Sequence, residues 1–386
     1  MNTSNIKIFP SKLSGTLKAI PSKSQAHRAL ICAALANEDT VIECDGTSKD
    51  IEATKSCLAA LKQSPCILNP GESGSTFRFL LPVVGALGLD AEFRLEGRLP
   101  ERPLDSLYNE LVRHGCKLSP QGSNPFTISG QLLPGTYVLD SGVSSQFVSG
   151  LLFALPLLGG DSVLQLQGEP ESVPYIDLTM AMLERFGIDI EWKNNIFNIK
   201  GGQTYKSPKT VKIEGDWSNA AFWLCAGVQV TELDNESNQG DKAIVKLLKE
   251  LPTAIDAADI PDLVPILSIA AAVANGVTTI YNAGRLRIKE SDRIQSTYEM
   301  LRNLGVNVEK KPDGLTVHGG NRLKGGVISS YNDHRIAMSA AIASHFCNEP
   351  IIIKDAKAVE KSYPRFFDDF QMLGGKIEWL HNTEIE

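Results

Sequence analysis

The stretch "MLRNLGVNVEKKPDGLTVHGG", Met300–Gly320, decides the fold. Leu301 lies four residues before Gly305, as expected of a helix that ends with a glycine at C′. The alternating apolar residues that follow mark a strand, a turn and a return strand. The same order of helix end, glycine and hairpin recurs in "ELVRHGCKLSPQGSNPFTISG", Glu110–Gly130, and in "MLERFGIDIEWKNNIFNIKGG", Met182–Gly202. A truncated copy, "FQMLGGKIEWL", Phe370–Leu380, closes the chain. Gly115 and Gly187, and again Gly305 and Gly374, stand about seventy residues apart, which leaves room for two sub-units per period.

A second pattern alternates with the first: a strand leads into a polar knot, and an apolar helix follows. It reads "KSQAHRALICAAL", "GVSSQFVSGLLFAL", "GDWSNAAFWLCAG", "DIPDLVPILSIAAAV" and "YNDHRIAMSAAIAS". Each knot holds Ser, Asp or Asn where a helix N-cap belongs. Ser22, followed three residues later by Gln25, has the form of a capping box, and Pro21 before it holds the entering chain extended. Together the two patterns predict repeated α/β units with mixed sheets and helices buried inside them. Glycine-rich crossovers of the dinucleotide-binding type do not occur.

The composition bounds the function. A chain of 386 residues exceeds one ordinary core and implies two domains or one large repetitive one. With 42% hydrophobic and 22% charged residues it belongs among soluble globular proteins rather than disordered ones. A net charge of −7 argues against nucleic acid or an anionic membrane as the main partner, but leaves a small anionic ligand open. The seven cysteines, Cys32, Cys44, Cys57, Cys66, Cys116, Cys225 and Cys347, form no C-x-x-C pair and read as buried thiols in a reducing compartment. The N-terminus lacks a signal-peptide core, and the longest apolar runs fall short of a membrane span. These features predict a cytoplasmic location.

The helix starts carry the chemistry. A helix N-terminus offers unpaired N–H groups and partial positive charge, a ready place for an anion. Lys23 and His27, and Ser24 and Arg28, are four apart, so each pair shares a face. Further packets are "GESGSTFRF" with Gly74 and Arg78, "PERPL" with Arg102, "RLRIKESDR" with Lys289, Glu290 and Arg293, "YNDHR" with Asp333 and Arg335, and "EKSYPRF" with Lys361. Arg suits bidentate contact with carboxylate or phosphate, and Lys acts as a compact point charge. Asp262 opens a strongly apolar helix, where a carboxylate reads as an N-cap or a functional group. Glu290 lies between Lys289 and Arg293, where cations favour its charged form and desolvation its neutral form, so it suits alternating acid and base work.

Taken in order, "PSKSQAHRAL", "GESGSTFRF", "ERP", "GVSSQF", "PYIDLT", "IPDL", "RIKESDR", "YNDHR" and "KSYPRFF" resemble the 5-enolpyruvylshikimate-3-phosphate synthase family, from about Gly15 to Pro364. The resemblance implies an α/β fold: a two-domain inside-out α/β barrel of repeated βαβαββ units. Residues 1–20 with 215–386 would form one domain and residues 21–214 the other, with the active site in the cleft between them. It also implies the reaction, transfer of the enolpyruvyl group of phosphoenolpyruvate to the 5-hydroxyl of shikimate 3-phosphate with release of phosphate. No cofactor or metal is implied, and the expected partners are the two small-molecule substrates, with the protein a monomer.

By resemblance, Lys23, Ser24, Arg28, Ser144, Ser145, Gln146, Ser172, Tyr175, Asp262 and Lys289 would bind shikimate 3-phosphate. Lys23, Gly74, Arg102, Gln146, Arg293, Arg335 and Lys361 would bind phosphoenolpyruvate. Lys23, Asp262 and Glu290 would be catalytic: Asp262 takes the hydroxyl proton, while Glu290 protonates the methylene carbon and later removes a proton. The chain departs from the family pattern at Glu72, where Asn is usual, and at Arg285, again in place of Asn. Two hairpins are missing or shortened, after Leu61 and after Leu251, so each domain is expected to lose peripheral strands. Two alternatives stand beside this reading. One is the sister enzyme acting on UDP-N-acetylglucosamine, with Cys116 as the candidate acid; the other is a non-catalytic anion-binding paralogue, against which Asp262 and Glu290 argue.

Overall fold

The structure, a computed structural model, describes residues 5–140, 142, 144–320 and 322–380. The chain divides into two compact units, Pro21–Ile213 and the combination of Met1–Ile20 with Glu214–Glu386. Val143 of the "GVSSQF" motif lies outside the described residues. Backbone pairing sets the crossover: Ile213 donates its N–H to the Glu43 carbonyl in one unit, and Asp216 donates to the Ile20 carbonyl in the other. Glu214 therefore belongs with the second of these, one residue earlier than the sequence suggests.

In Pro21–Ile213 the described helices are α1 (Lys23–Leu35), α2 (Lys49–Ala60), α3 (Gly74–Ala86), α4 (Asp105–Arg113), α5 (Ser145–Ala154) and α6 (Val173–Arg185). In the other unit they are α7 (Trp217–Cys225), α8 (Ile244–Glu250), α9 (Val264–Val273), α10 (Arg293–Asn303), α11 (His334–Ala343) and α12 (Phe366–Met372). Helices α3, α5, α7, α9 and α11 are apolar nearly all round, so each is buried along most of its length and the sheets lie outside them. Each unit has its own core, one around Phe77, Phe79 and Phe153 and the other around Trp223, Phe366 and Ile269.

The sheets repeat one plan. Cys66–Gly71 and Ala91–Leu95 run parallel, and the hairpin Phe126–Gly130 with Cys116–Leu118 adds antiparallel. Thr136–Asp140 and Ser162–Gln167 with Ile196–Ile199 and Ile190–Lys193 follow it, as do Ala254–Asp256 and Val277–Tyr281 with Gly314–His318 and Asn307–Lys311. In the fourth such sheet the antiparallel pair is built from the two ends of the chain. Asn5–Phe9 pairs with Lys376–Leu380, which gives the truncated closing copy its missing strand. Gly115, Gly187, Gly305 and Gly374 all take positive φ, between 72° and 101°, the left-handed conformation that ends a helix and that glycine adopts without steric cost.

The sheet of Val41–Glu43 with Thr210–Lys212 has two strands, as does that of Thr16–Lys18 with Gln229–Thr231. One such sheet falls in each unit, where the shortened hairpins after Leu61 and Leu251 remove the antiparallel half of the plan.

Helices α3 and α5 touch closely because of two residues. Pro82, inside α3, has no N–H to give to the Arg78 carbonyl, and Gly150 of α5 lies over that carbonyl. A Cβ at Gly150 would come within 2.4 Å of the Arg78 oxygen and 3.1 Å of Pro82 Cγ. Gly150→Ala is therefore expected to push the two helices apart and to destabilise the protein by about 1–3 kcal/mol, read as a lowered urea midpoint.

Candidate active site

The expected site residues fall into two groups, each gathered at helix starts within its own unit. In the unit of Glu214–Glu386, α10 begins at a cap made by Asp292, whose carboxylate accepts the Gln295 N–H at 3.0 Å. This start carries Arg293, which is 1% exposed and holds three carboxylates. Its Nε and Nη2 donate to Asp333 at 2.7 and 3.2 Å, its Nη1 to Asp262 at 2.7 Å, and its Nη2 to Glu290 at 2.8 Å. Burial opposes the Arg293 charge, but Asp333, Glu290 and Asp262 outweigh it and hold the guanidinium firmly protonated.

Asp333 caps α11 by accepting the Arg335 N–H at 2.9 Å, and it also takes the Ser291 hydroxyl. Arg335, 3% exposed, donates through Nη2 to Asp262 at 2.9 Å and through Nη1 to the Ser218 carbonyl at 3.1 Å. Asp262 lies in a single tight turn, Pro261–Leu263, before α9, and its side chain makes no cap there. Of the two readings open for Asp262, N-cap or functional group, the cap is excluded: its oxygens face two guanidiniums instead. Burial pushes its pKa up, but Arg335, Arg293 and Lys289 together hold it well below the usual carboxylate range. It is thus an anion, strong as a hydrogen-bond acceptor and weak as a base.

Lys289 is drawn down to about 8, first by burial and then by Arg293 and Arg285, against the pull of Asp262 and Glu290. Behind the group, the Ser218 hydroxyl donates to Asp241, a buried carboxyl pushed up to about 7 by desolvation and by Asp262. Lys361 is 7% exposed and donates to the Asn332 carbonyl at 2.6 Å. Arg285 reaches the Ala258 carbonyl at 2.9 Å.

In the unit of Pro21–Ile213 the group sits at the starts of α1, α3, α5 and α6. Ser22 caps α1, Lys23 pairs with Asp50 of α2 at 2.8 Å, and Ser24 is half-buried. Arg28 is a buried brace. Its Nε donates to Thr179 Oγ1 at 2.7 Å, Nη1 to the Ser24 carbonyl at 2.6 Å, and Nη2 to the Tyr175 carbonyl at 2.8 Å and Ser149 Oγ at 3.4 Å. These bonds tie α1 to α5 and α6, and among the described residues they engage four of its five N–H groups. Ser144 caps α5 and Ser145 begins it. Ser172, buried with φ +56°, receives the Tyr175 N–H one turn into α6.

Gln146 bridges two elements, giving Nε2–H to Ser75 Oγ at 2.9 Å and accepting Arg78 Nη1–H at 2.8 Å. Arg78 also donates to the Pro103 carbonyl at 3.3 Å, which steadies the loop that carries Arg102. Gly74 begins α3 directly beneath Arg102: a Cβ there would lie 2.6 Å from Arg102 Nη1. Glu72, the departure from the family pattern, lies against Gly97, where a Cβ would come within 2.5 Å of its Oε2.

Sequence reasoning passed over Asp50, Arg78, Asp241 and Asp333 as site residues. Asp333 had a local signal, since a cap residue beside Arg335 was legible. Asp50 and Asp241 had none, because their partners stand 27 and 23 positions away. Cys116, the alternative acid, is 3% exposed in the strand Cys116–Leu118, and burial pushes its thiol up to about 11. It is a core residue.

The arrangement suits multiply charged anions: buried guanidiniums and lysines are held at helix starts, and Asp262 and Glu290 lie side by side on one guanidinium, each about a fifth exposed. Comparison with known proteins agrees. The family model for EPSP synthase (3-phosphoshikimate 1-carboxyvinyltransferase) matches residues 9–256 and 237–370. The chain is 42% identical over 423 residues to the 3-phosphoshikimate 1-carboxyvinyltransferase of Clostridium kluyveri, covering 97% of this chain and 98% of the relative. It is 40% identical over 432 residues to that of Clostridioides difficile, covering 97% and 99%. Both matched spans exceed the 386 residues of this chain, so these relatives carry segments absent here. An EPSP synthase structure from Acinetobacter baumannii shares the fold, with a TM-score of 0.81 at 23% identity over 98% of this chain and 100% of the other. Helix starts, motif order and full-length similarity converge: the chain belongs to the EPSP synthase (3-phosphoshikimate 1-carboxyvinyltransferase) family.

Proposed function

We propose that both groups of residues serve one reaction, the transfer of the enolpyruvyl group of phosphoenolpyruvate to the 5-hydroxyl of shikimate 3-phosphate. The observation that carries this reading is the Arg293 guanidinium with Asp262 and Glu290 on its two terminal nitrogens. Asp333 already pairs the buried Arg293, so two further, partly exposed carboxylates on the same guanidinium exceed what anion binding alone requires.

In the first step the 5-oxygen attacks C2 of phosphoenolpyruvate as its proton passes to Asp262, and C3 gains a proton from Glu290. Glu290 must enter this step as the carboxylic acid, having taken up a proton from solvent once phosphoenolpyruvate engages Arg293. The resulting tetrahedral adduct keeps its phosphate. In the second step Glu290 removes a proton from C3, the double bond re-forms and phosphate leaves with the proton held by Asp262, so both carboxyls return to their starting states. Asp262 is a weak base while Arg293 and Arg335 hold it. Phosphoenolpyruvate, binding to those guanidiniums, draws their hydrogens toward its own oxygens and restores the basicity of Asp262. Arg102, Lys23 and Lys361 complete the clamp on phosphoenolpyruvate, with Gly74 and Gln146 at its side. Ser24, Arg28, Ser144, Ser145, Ser172, Tyr175 and Lys289 hold shikimate 3-phosphate. Charge stabilisation and orientation supply the rate. We place the enzyme in the cytoplasm; its seven cysteines stand as free thiols, which supports a reducing compartment. No described helix is long and apolar enough to cross a membrane.

Phosphate release should require both substrates together; release from phosphoenolpyruvate with UDP-N-acetylglucosamine alone would overturn the reading. Glu290→Gln keeps the shape and an acceptor for Arg293, so it should lower kcat by about 10²–10⁴-fold with little change in either KM. Gly74→Ala displaces the flexible end of Arg102 rather than the backbone, so the protein should fold normally. Its KM for phosphoenolpyruvate should rise about tenfold or more, with the KM for shikimate 3-phosphate nearly unchanged. Because Lys289 ionises near 8 in the free enzyme and only its protonated form attracts an anion, kcat/KM for shikimate 3-phosphate should fall as pH rises through that value. Lys289→Arg should move the fall beyond pH of about 10.

A further inference from the structure

His27 is the member of the opening helix start that the proposed reaction leaves without a role. Its ring is 1% exposed, and its Nδ1 lies 2.7 Å from Thr54 Oγ1 on α2. Thr54 Oγ1 lies 2.6 Å from Thr76 Oγ1 on α3, and Thr76 Oγ1 lies 2.7 Å from Ser73 Oγ. Ser73 caps α3 by accepting the Thr76 N–H at 3.3 Å. All four side chains are buried, so one unbroken polar chain runs from α1 through α2 to the residue just before Gly74.

Three hydroxyls in series pass hydrogen bonds along only if the last one meets an acceptor. Running from Ser73 to Thr76 to Thr54, every hydroxyl proton is used, and the neutral imidazole receives the last at Nδ1. The opposite direction leaves the Ser73 proton without a described acceptor in a buried place. The Asp50 carbonyl, at 3.3 Å from Thr54 Oγ1 and 3.5 Å from Thr76 Oγ1, is the poorer alternative. Each bond in such a chain polarises the next, so its terminal acceptor matters to the whole. The cost falls on His27 Nε2, which has no hydrogen-bond partner among the described residues. Burial, with Lys23 and Arg28 nearby, pushes the imidazole well below its ordinary pKa, so the ring is neutral with one bare nitrogen, and the direction of the hydroxyl chain assigns that nitrogen as Nδ1.

We propose that His27 is a positioning residue for phosphoenolpyruvate: through Thr54 and Thr76 it holds the Ser73 cap, and with it the Gly74 backbone beneath Arg102. The proposal rests on the reading that Gly74 and Arg102 receive phosphoenolpyruvate. Asn carries an amide oxygen at the position of Nδ1, whereas Gln reaches only the position of Nε2, so the two amides separate the acceptor from mere bulk.

The test is steady-state kinetics of His27→Phe, His27→Asn, His27→Gln and Thr76→Val. His27→Phe and His27→Gln should raise the KM for phosphoenolpyruvate about tenfold, with the KM for shikimate 3-phosphate within about twofold of wild type. His27→Asn should restore the phosphoenolpyruvate KM to within about twofold of wild type. Thr76→Val should repeat the His27→Phe effect, and the double variant should add less than about twofold more. Equal rises in both KM values, rescue by Gln as complete as by Asn, or a lowered Tm with unchanged KM would overturn the proposal. Should His27→Phe fail to fold, the contrast between Asn and Gln and the Thr76→Val result decide in its place. If wild-type protein releases no phosphate from the two substrates, the functional reading fails. The ¹⁵N spectrum of His27 then still reads the chain: Nε2–H with bare Nδ1 supports it, and a protonated Nδ1 overturns it.

Discussion

The Arg293 guanidinium, stripped of water, is the interaction on which its unit's site depends. A buried charge is tolerated only when partners replace its hydration, and here Asp333, Asp262 and Glu290 do so from three directions. Asp333 is fully buried and also caps α11, so the same carboxylate fixes the start of α11 and the start of α10. Asp262, on the turn before α9, joins Arg293 to Arg335. Three helix starts are thus locked together by charge, while Asp262 and Glu290 each remain about a fifth exposed.

The other unit solves the same problem with less charge. Arg28 spends its donors on two carbonyls and two hydroxyls, and Arg78 on an amide and a carbonyl. The acceptors around Arg28 are neutral, so they position its guanidinium without cancelling its charge. In the proposed reaction Arg293 and Arg335 exchange carboxylate partners to hold an anion, whereas Arg28 keeps its neutral ones. On that proposal the first arrangement couples anion binding to the basicity of Asp262.

The repeat plan explains how one chain builds both groups. Each parallel strand pair delivers a buried helix, and each hairpin covers the outside. Because the helices are buried, their starts are where polar and charged side chains can collect without disturbing the core. Losing the hairpins of two sheets removes strands from the outer layer and leaves the helix starts in place, which is why a short member of the family keeps the motifs in order, with Glu72 and Arg285 as its departures.

Local features were legible in the sequence because local physics produces them. Helix-ending glycines, caps at Ser22, Ser144, Asp216 and Asp333, and the alternation of the hairpins depend on residues within a few positions of one another. The resemblance of ordered motifs added which of those starts carry substrate-binding residues. What the sequence could not show is which distant groups meet. Arg293 finds Asp333 forty positions away, Lys23 finds Asp50, Asn5–Phe9 finds Lys376–Leu380, and His27 joins a chain of hydroxyls from two other helices. Asp262 shows the boundary most clearly: its position left a cap and a functional group both open, and the fold excluded the cap by aiming it at two guanidiniums. Those pairings arise only when packing brings buried polar groups within reach, since each must find a partner once water is gone, and that demand is met in three dimensions rather than along the chain.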